Sequence, residues 1–164
     1  MKVKLLFLTL FSGLIISVTN AQDSTKIYSI EANAREQVDA AVKKAAKDNK
    51  HVLLMVGGNW CKWCKMFNKF SHDDAQIDSL LKVDFVVEHI NFSKENKNLD
   101  LMKQLDFPQR FGFPVFVLLD AKGNRIHTQQ TGYLEEGQGY SKEKVMEFLE
   151  QWSPKALLPD QYLK

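Results

Sequence analysis

The sequence predicts an α/β layered domain: a mixed sheet of about four to five strands with helices on both faces. Three observations carry this expectation. Apolar runs of strand length alternate along the chain with segments of helical period, the pattern of a layered α/β protein. Two of those runs, HVLLMV at 51–56 and PVFVLL at 114–119, are apolar throughout, as strands buried on both faces are. The last two strands are separated only by DAKGN at 120–124, turn chemistry that makes them antiparallel neighbours.

In chain order, residues 1–21 read as a secretory signal peptide. Lys2 and Lys4 form a positive start, Leu5 to Val18 an apolar stretch, and Thr19-Asn20-Ala21 a small-residue cleavage site. The stretch is short for a membrane span, which takes about 20 residues. The expectation is an exported protein, periplasmic or secreted, with no stable membrane insertion after signal removal. Residues 22–164 are expected to form one domain. Residues 22–30 carry no clear period and read as a leader segment. A helix follows Asn33, which pairs with Glu36 as N-cap and N3 partner. Ala34, Val38, Ala41, Val42, Ala45 and Ala46 recur there at helical spacing, with Lys43, Lys44, Lys47 and Lys50 as the solvated side and last turn.

The first strand, His51 to Val56, ends at Gly57-Gly58. A helix then starts at Cys61, with Met66, Phe67 and Phe70 facing the core. Ser71 ends that helix or caps a further one, 72–82, with Ile77, Leu80 and Leu81 inward. Phe85 to Ile90 is the second strand. Asn96 to Leu105 is a helix with Leu99, Met102 and Leu105 on one stripe. Pro114 opens the third strand, where a missing ladder donor is tolerated. Residues 125–130 alternate weakly, as an exposed strand does, and 132–139 is a loop. Ser141 caps a last helix, 142–152, with Val145, Phe148, Leu149 and Trp152 inward; Pro154 stops it.

Of the 164 residues, 45% are hydrophobic and 26% charged, which excludes disordered, collagen-like and polytopic membrane classes. The net charge of +2 belongs to the signal segment, because the 22 basic residues less Lys2 and Lys4 equal the 20 acidic ones. No basic footprint for nucleic acid is left.

The two cysteines are Cys61 and Cys64. An exported domain meets an oxidising compartment, yet a disulfide closing so short a loop constrains the unfolded chain little. Chemistry explains the pair better than stapling does. With Cys61 at a helix N-terminus, unpaired N–H groups and the helix dipole favour its thiolate, which is the attacking form. Lys62 and Lys65 add positive charge. The expected Cys61 pKa lies below the ~8.5 of a free thiol. Cys64, one turn in, is expected to be more shielded and to resolve mixed disulfides. Zinc would need about two further ligands; there is no third Cys, and His51, His72, His89 and His127 are scattered. Haem attachment needs His directly after the second cysteine, where Lys65 stands. Copper capture by the two thiols stays open. No metal or cofactor is expected, because the exchanged electrons reside on two sulfurs.

The apolar strand, Gly57-Gly58, Trp60-Cys61-Lys62-Trp63-Cys64-Lys65, the helix behind them and Phe113-Pro114 together resemble a thioredoxin-fold thiol–disulfide oxidoreductase. The stretch is closer to exported thioredoxin-like proteins than to the cytosolic reductant. The resemblance covers roughly residues 34–152 and implies a three-layer sandwich. It implies a cis peptide at Phe113–Pro114 beside the dithiol, with both residues binding substrate and backbone hydrogen bonds offered by Phe113. It also implies that Trp60 flanks the site. Trp63 is expected to be partly exposed as an apolar contact for substrate, or else packed on Phe113 or a neighbouring loop.

Two departures from the family pattern stand out. Lys62-Trp63 replaces the Gly-Pro of thioredoxins and the Gly-His of disulfide isomerases, which alters thiolate stability and redox potential. Met55 stands where thioredoxins bury an Asp, so water or another group must serve Cys64. Glu88 is one candidate if the second strand brings it near. His72 reads as a surface residue.

The activity so implied is disulfide exchange with protein thiol or disulfide substrates, in the reductase direction. The electrons would come from a membrane or soluble thiol donor. The competing reading is a binding module of the same fold, with its cysteine pair a staple or a metal clip.

Overall fold

The computed structural model describes residues 26–163; the expected signal peptide falls outside them. The elements run α1 (Ala34–Asp48), β1 (His51–Gly57), α2 (Lys62–Asp73), α3 (Ala75–Asp84), β2 (Phe85–Asn91), α4 (Leu99–Gln104), β3 (Val115–Leu119), β4 (Arg125–Gln130), β5 (Glu135–Glu136), β6 (Gly139–Tyr140) and α5 (Lys142–Gln151). The central sheet has four strands in the order β2-β1-β3-β4. β1 lies parallel to β2 and antiparallel to β3, and β3 is antiparallel to β4. The fold class expected from the sequence is the one observed.

β1 is central because all seven of its residues are buried, and only a strand covered on both faces tolerates such a run. Each sheet face has its own core. On one, α1 packs Ala34, Val38, Ala41 and Ala45 against Val52, Leu54 and Val56, with Leu101, Met102 and Leu105 alongside. On the other, Phe67 of α2, Ile77 and Leu81 of α3 and Val145, Phe148 and Leu149 of α5 cover Leu53, Met55, Phe85, Phe116 and Leu118.

The Asn33 cap forms as expected: its side chain accepts from the N–H groups of Arg35 and Glu36. The β3–β4 turn is held by the Asp120 carboxylate, which accepts from the backbone N–H groups of Lys122 and Asn124.

Several local expectations are corrected. Ser71 neither ends α2 nor caps α3; its hydroxyl donates back to Asn68 O, which leaves the helix free to continue. Asp74 is the cap, accepting from Gln76 N and Ile77 N. α4 starts three residues later than expected, so Leu99 sits at its first turn, 60% exposed, and the inward residues are Leu101, Met102 and Leu105. Ala46 is exposed rather than part of the inward stripe of α1. Residues 132–139 are not a plain loop. A 3-10 turn, Thr131–Leu134, leads into the β5–β6 hairpin, anchored by the buried Leu134 and Tyr140.

Candidate active site

The site is built at the C-terminal end of β1. Gly57 and Gly58 do more than end the strand. A Cβ on Gly57 would lie 2.5 Å from Cys64 Sγ and 2.8 Å from the Tyr28 hydroxyl oxygen, and one on Gly58 would lie 2.4 Å from the Trp60 indole nitrogen. Only a bare backbone lets these groups approach. Cys61 then caps α2 in extended conformation, and its Sγ accepts the backbone N–H of Cys64 at 3.1 Å. The two cysteines form a disulfide with Cα atoms 5.3 Å apart. The first turn of α2 holds no acidic residue, and Lys62 and Lys65 are exposed beside it.

The cysteines are not arranged as the sequence argument expects. Cys61 should be open and Cys64 shielded, yet they are 4% and 3% exposed. Tyr28, from the segment read as a leader and itself buried, shares one cluster with both cysteines, and Ile27, Trp63 and Phe113 pack around them. The Asn59 side chain holds that segment in place. Its Oδ1 accepts from Ile27 N and Tyr28 N, each at 3.0 Å, and its Nδ2 donates to Tyr28 O at 2.8 Å. Asn96 adds a bond from its side-chain amide to Ile30 O.

The Phe113–Pro114 peptide is cis, and Pro114 is buried at the start of β3. Its carbonyl accepts from the Thr131 hydroxyl at 2.6 Å. Trp60 flanks the site, 58% exposed. Its ring meets Phe113 edge to face at 5.3 Å, and its indole N–H donates to Phe92 O. Trp63 is half-buried and packs edge to face on Tyr140 of the hairpin, not on Phe113. A groove of about 590 Å³ runs past Trp60 along Ile30, Phe92 and Lys94; neither cysteine lines it.

Glu88 does not reach the cysteines. It follows Val87 and precedes His89 on β2, and it shares the α1 face with Val86 and Ile90. There Gln37 Nε2 donates to its Oε1 at 2.7 Å. Burial pushes the Glu88 carboxyl up, partly offset by that bond. His89 takes the opposite face, beside Met55 in register. Its ring meets Tyr28 edge to face at 5.3 Å. Its Nε2 is buried without a hydrogen-bond partner, and burial lowers its pKa to about 4. His72 is at the surface, near Asp78.

Sequence reasoning missed Tyr28, Asn59 and the steric role of the glycines. Two successive glycines directly before the Trp-Cys motif were the available signal. Nothing in the period of residues 22–30 marks Tyr28.

A cysteine pair at a helix N-terminus, against a buried X-Pro turn, is how thioredoxin-fold thiol–disulfide oxidoreductases are built, and this chain is built that way. The family described as thioredoxin-like domain matches residues 38–142. The chain belongs to that family. Among curated proteins it is similar to the thiol:disulfide interchange protein DsbD of Actinobacillus pleuropneumoniae, 27% identical over 132 residues that make up 78% of this chain and 22% of that protein. The chain thus spans less than a quarter of that relative. Among solved structures it is similar to a disulphide isomerase from Xylella fastidiosa, with a TM-score of 0.68 and 26% identity over 77% of this chain and 95% of the other. A thioredoxin from Thermus thermophilus shares the fold, with a TM-score of 0.52 and 20% identity over 69% of this chain and 81% of that one.

Proposed function

We propose that the protein exchanges disulfides with protein substrates in an exported compartment, periplasmic or extracellular, as a reductase. Residues 22–164 act as one domain once residues 1–21 are removed. The observation that carries the reading is Cys61 Sγ at the N-cap of α2, accepting the N–H of Cys64. That bond and the helix dipole favour a thiolate at Cys61, and Lys62 and Lys65 favour it further. In the reduced protein, the Cys61 thiolate attacks a substrate disulfide. One substrate sulfur leaves with the electron pair and takes a proton, and the other stays bonded to Cys61. Cys64 then attacks Cys61 Sγ, the second substrate thiol is released, and the disulfide seen here is formed. A thiol donor, membrane-bound or soluble, returns two electrons. Phe113 and Pro114 form the wall on which an extended substrate lies, Trp60 and Trp63 flank it, and the exchange needs no cofactor. The similarity to a thiol:disulfide interchange protein supports this reading.

The test is insulin reduction with dithiothreitol. The wild type should accelerate it and Cys61→Ser should not; equal rates overturn the proposal. Equilibration with glutathione tests the direction. A potential of about −270 mV fits a reductant, and one of about −120 mV an oxidant.

The burial of both cysteines favours one rival reading, a binding module with an inert staple. It requires that the wild type accelerate insulin reduction no more than buffer does.

A further inference from the structure

Among the described residues, neither position weighed for a carboxylate beside Cys64 supplies one: Met55 occupies the usual position and Glu88 is turned to the other face of the sheet. A different polar group is there. The Tyr28 hydroxyl oxygen and Cys64 Sγ press on the same bare Cα, at 2.8 Å and 2.5 Å from the point where a Gly57 Cβ would sit. They stand no further apart than those two lengths together. Tyr28 is 4% exposed and belongs to one cluster with Cys61 and Cys64. Its backbone is fixed at both N–H and C=O by Asn59, so the ring is aimed rather than merely nearby.

We infer that the Tyr28 hydroxyl is the hydrogen-bond donor that stabilises the Cys64 thiolate when that sulfur resolves a mixed disulfide. This rests on the exchange reading above. In the step, Cys64 gives its proton to water and its thiolate forms the bond to Cys61 Sγ. The bond between Cys61 and the substrate sulfur breaks, and the substrate leaves with the electron pair. Tyr28 keeps its own proton throughout. Burial, with Tyr140 adding to it, holds the Tyr28 hydroxyl protonated far above neutral pH, so it is a permanent donor and never a base. Of the groups packed beside it, His89 has a pKa of about 4 and burial raises that of Tyr140; His72 and Glu135 act on those two from further out. Lys62 and Lys65 face solvent on α2. A charge-assisted bond is therefore the main compensation available to a thiolate buried here.

The test is reaction of the reduced protein with 5,5′-dithiobis(2-nitrobenzoate), which separates the two steps. The first thionitrobenzoate is released when Cys61 attacks, and the second when Cys64 resolves. Tyr28→Phe keeps the ring and its packing and removes only the hydroxyl. It should leave the first release unchanged and slow the second about tenfold, with the pH midpoint of the second release moved upward. Cys64 titrated by thiolate absorbance in a Cys61→Ala background should show the same upward shift on Tyr28→Phe. A second release with the wild-type rate and pH midpoint, or an unshifted Cys64 titration, overturns this inference and leaves the exchange reading standing. A wild-type protein that releases no thionitrobenzoate overturns both.

Discussion

The two faces of the central sheet are made of different materials. The fully buried side chains on the α1 face are aliphatic, Ala, Val, Leu, Ile and Met, whereas the α2 face buries Phe67, Phe85, Phe116, Tyr140 and Phe148. Small alanines let α1 lie close on the sheet. Aromatic rings instead reach between α2, the hairpin and β3: Phe67 stands 4.6 Å from Phe116 and 5.0 Å from Tyr140, centroid to centroid. Glu88 and His89 show the consequence for charge. They are neighbours in sequence, yet one is solvated by Gln37 on the aliphatic face and the other is pressed unpaired against Tyr28 on the face that carries the cysteines. The aliphatic face is a platform, edged at the site by the half-buried Phe92, Phe111 and Phe113, and the aromatic face holds α2 and its cysteines in position.

That contrast can be broken at Phe67. Phe67→Ala should cost about 3–5 kcal/mol of stability and also move the potential of the cysteine pair, because α2 loses its anchor. Leu54→Ala on the platform should cost about 2–5 kcal/mol and leave the potential where it was. Urea midpoints and glutathione equilibration measure both quantities. A potential shifted equally by both variants would remove the division of labour.

His89 gives the next largest effect. Its folded pKa of about 4 lies below the ordinary 6.5, so between those values the unfolded chain binds more protons. Stability is full above about pH 6.5 and falls as pH drops toward 4, by about 3 kcal/mol at most. His89→Phe should flatten that part of the curve of unfolding midpoint against pH. A curve of unchanged slope would mean that another group titrates there.

The platform was legible in the sequence because its signals are local. Continuous apolar runs give β1 and β3, and Asn33 with Glu36 gives the start of α1. The cysteine motif was legible for the same reason, as was Pro114 at the start of β3; its place beside the cysteines came from the family resemblance. The cover over the cysteines was not, because it depends on contacts between distant residues. Asn59 meets Tyr28 across 31 positions, and no period in residues 22–30 encodes that pairing. The hairpin of β5 and β6 was missed because its ladder is two residues long on each strand, below the length at which alternation shows. Which face Glu88 takes depended on register, which the pattern of β2 alone leaves open by one residue.

Gly57 tests the same boundary on a smaller scale. Gly57→Ala places a methyl within 2.5 Å of Cys64 Sγ, and overpacking of this kind costs about 1–3 kcal/mol. The loss should be greater in the oxidised protein, where the sulfur is tethered, so the variant should also be easier to reduce. Equal losses in both redox states would show that the strand end yields instead of the sulfur.

The smallest expected effect lies at Asn59. Its side chain makes three bonds to the backbone of residues 27 and 28, all of them only partly buried, so freed amides regain water. Asn59→Ala should therefore cost only about 1 kcal/mol. What it should change is access. With Tyr28 no longer held over the cysteines, iodoacetamide should alkylate reduced Cys64 several-fold faster, and the amide of Tyr28 should exchange its hydrogen faster by a similar factor. Faster exchange at Tyr28 without faster alkylation would mean that Trp63 and Phe113, not the N-terminal segment, are what shield Cys64.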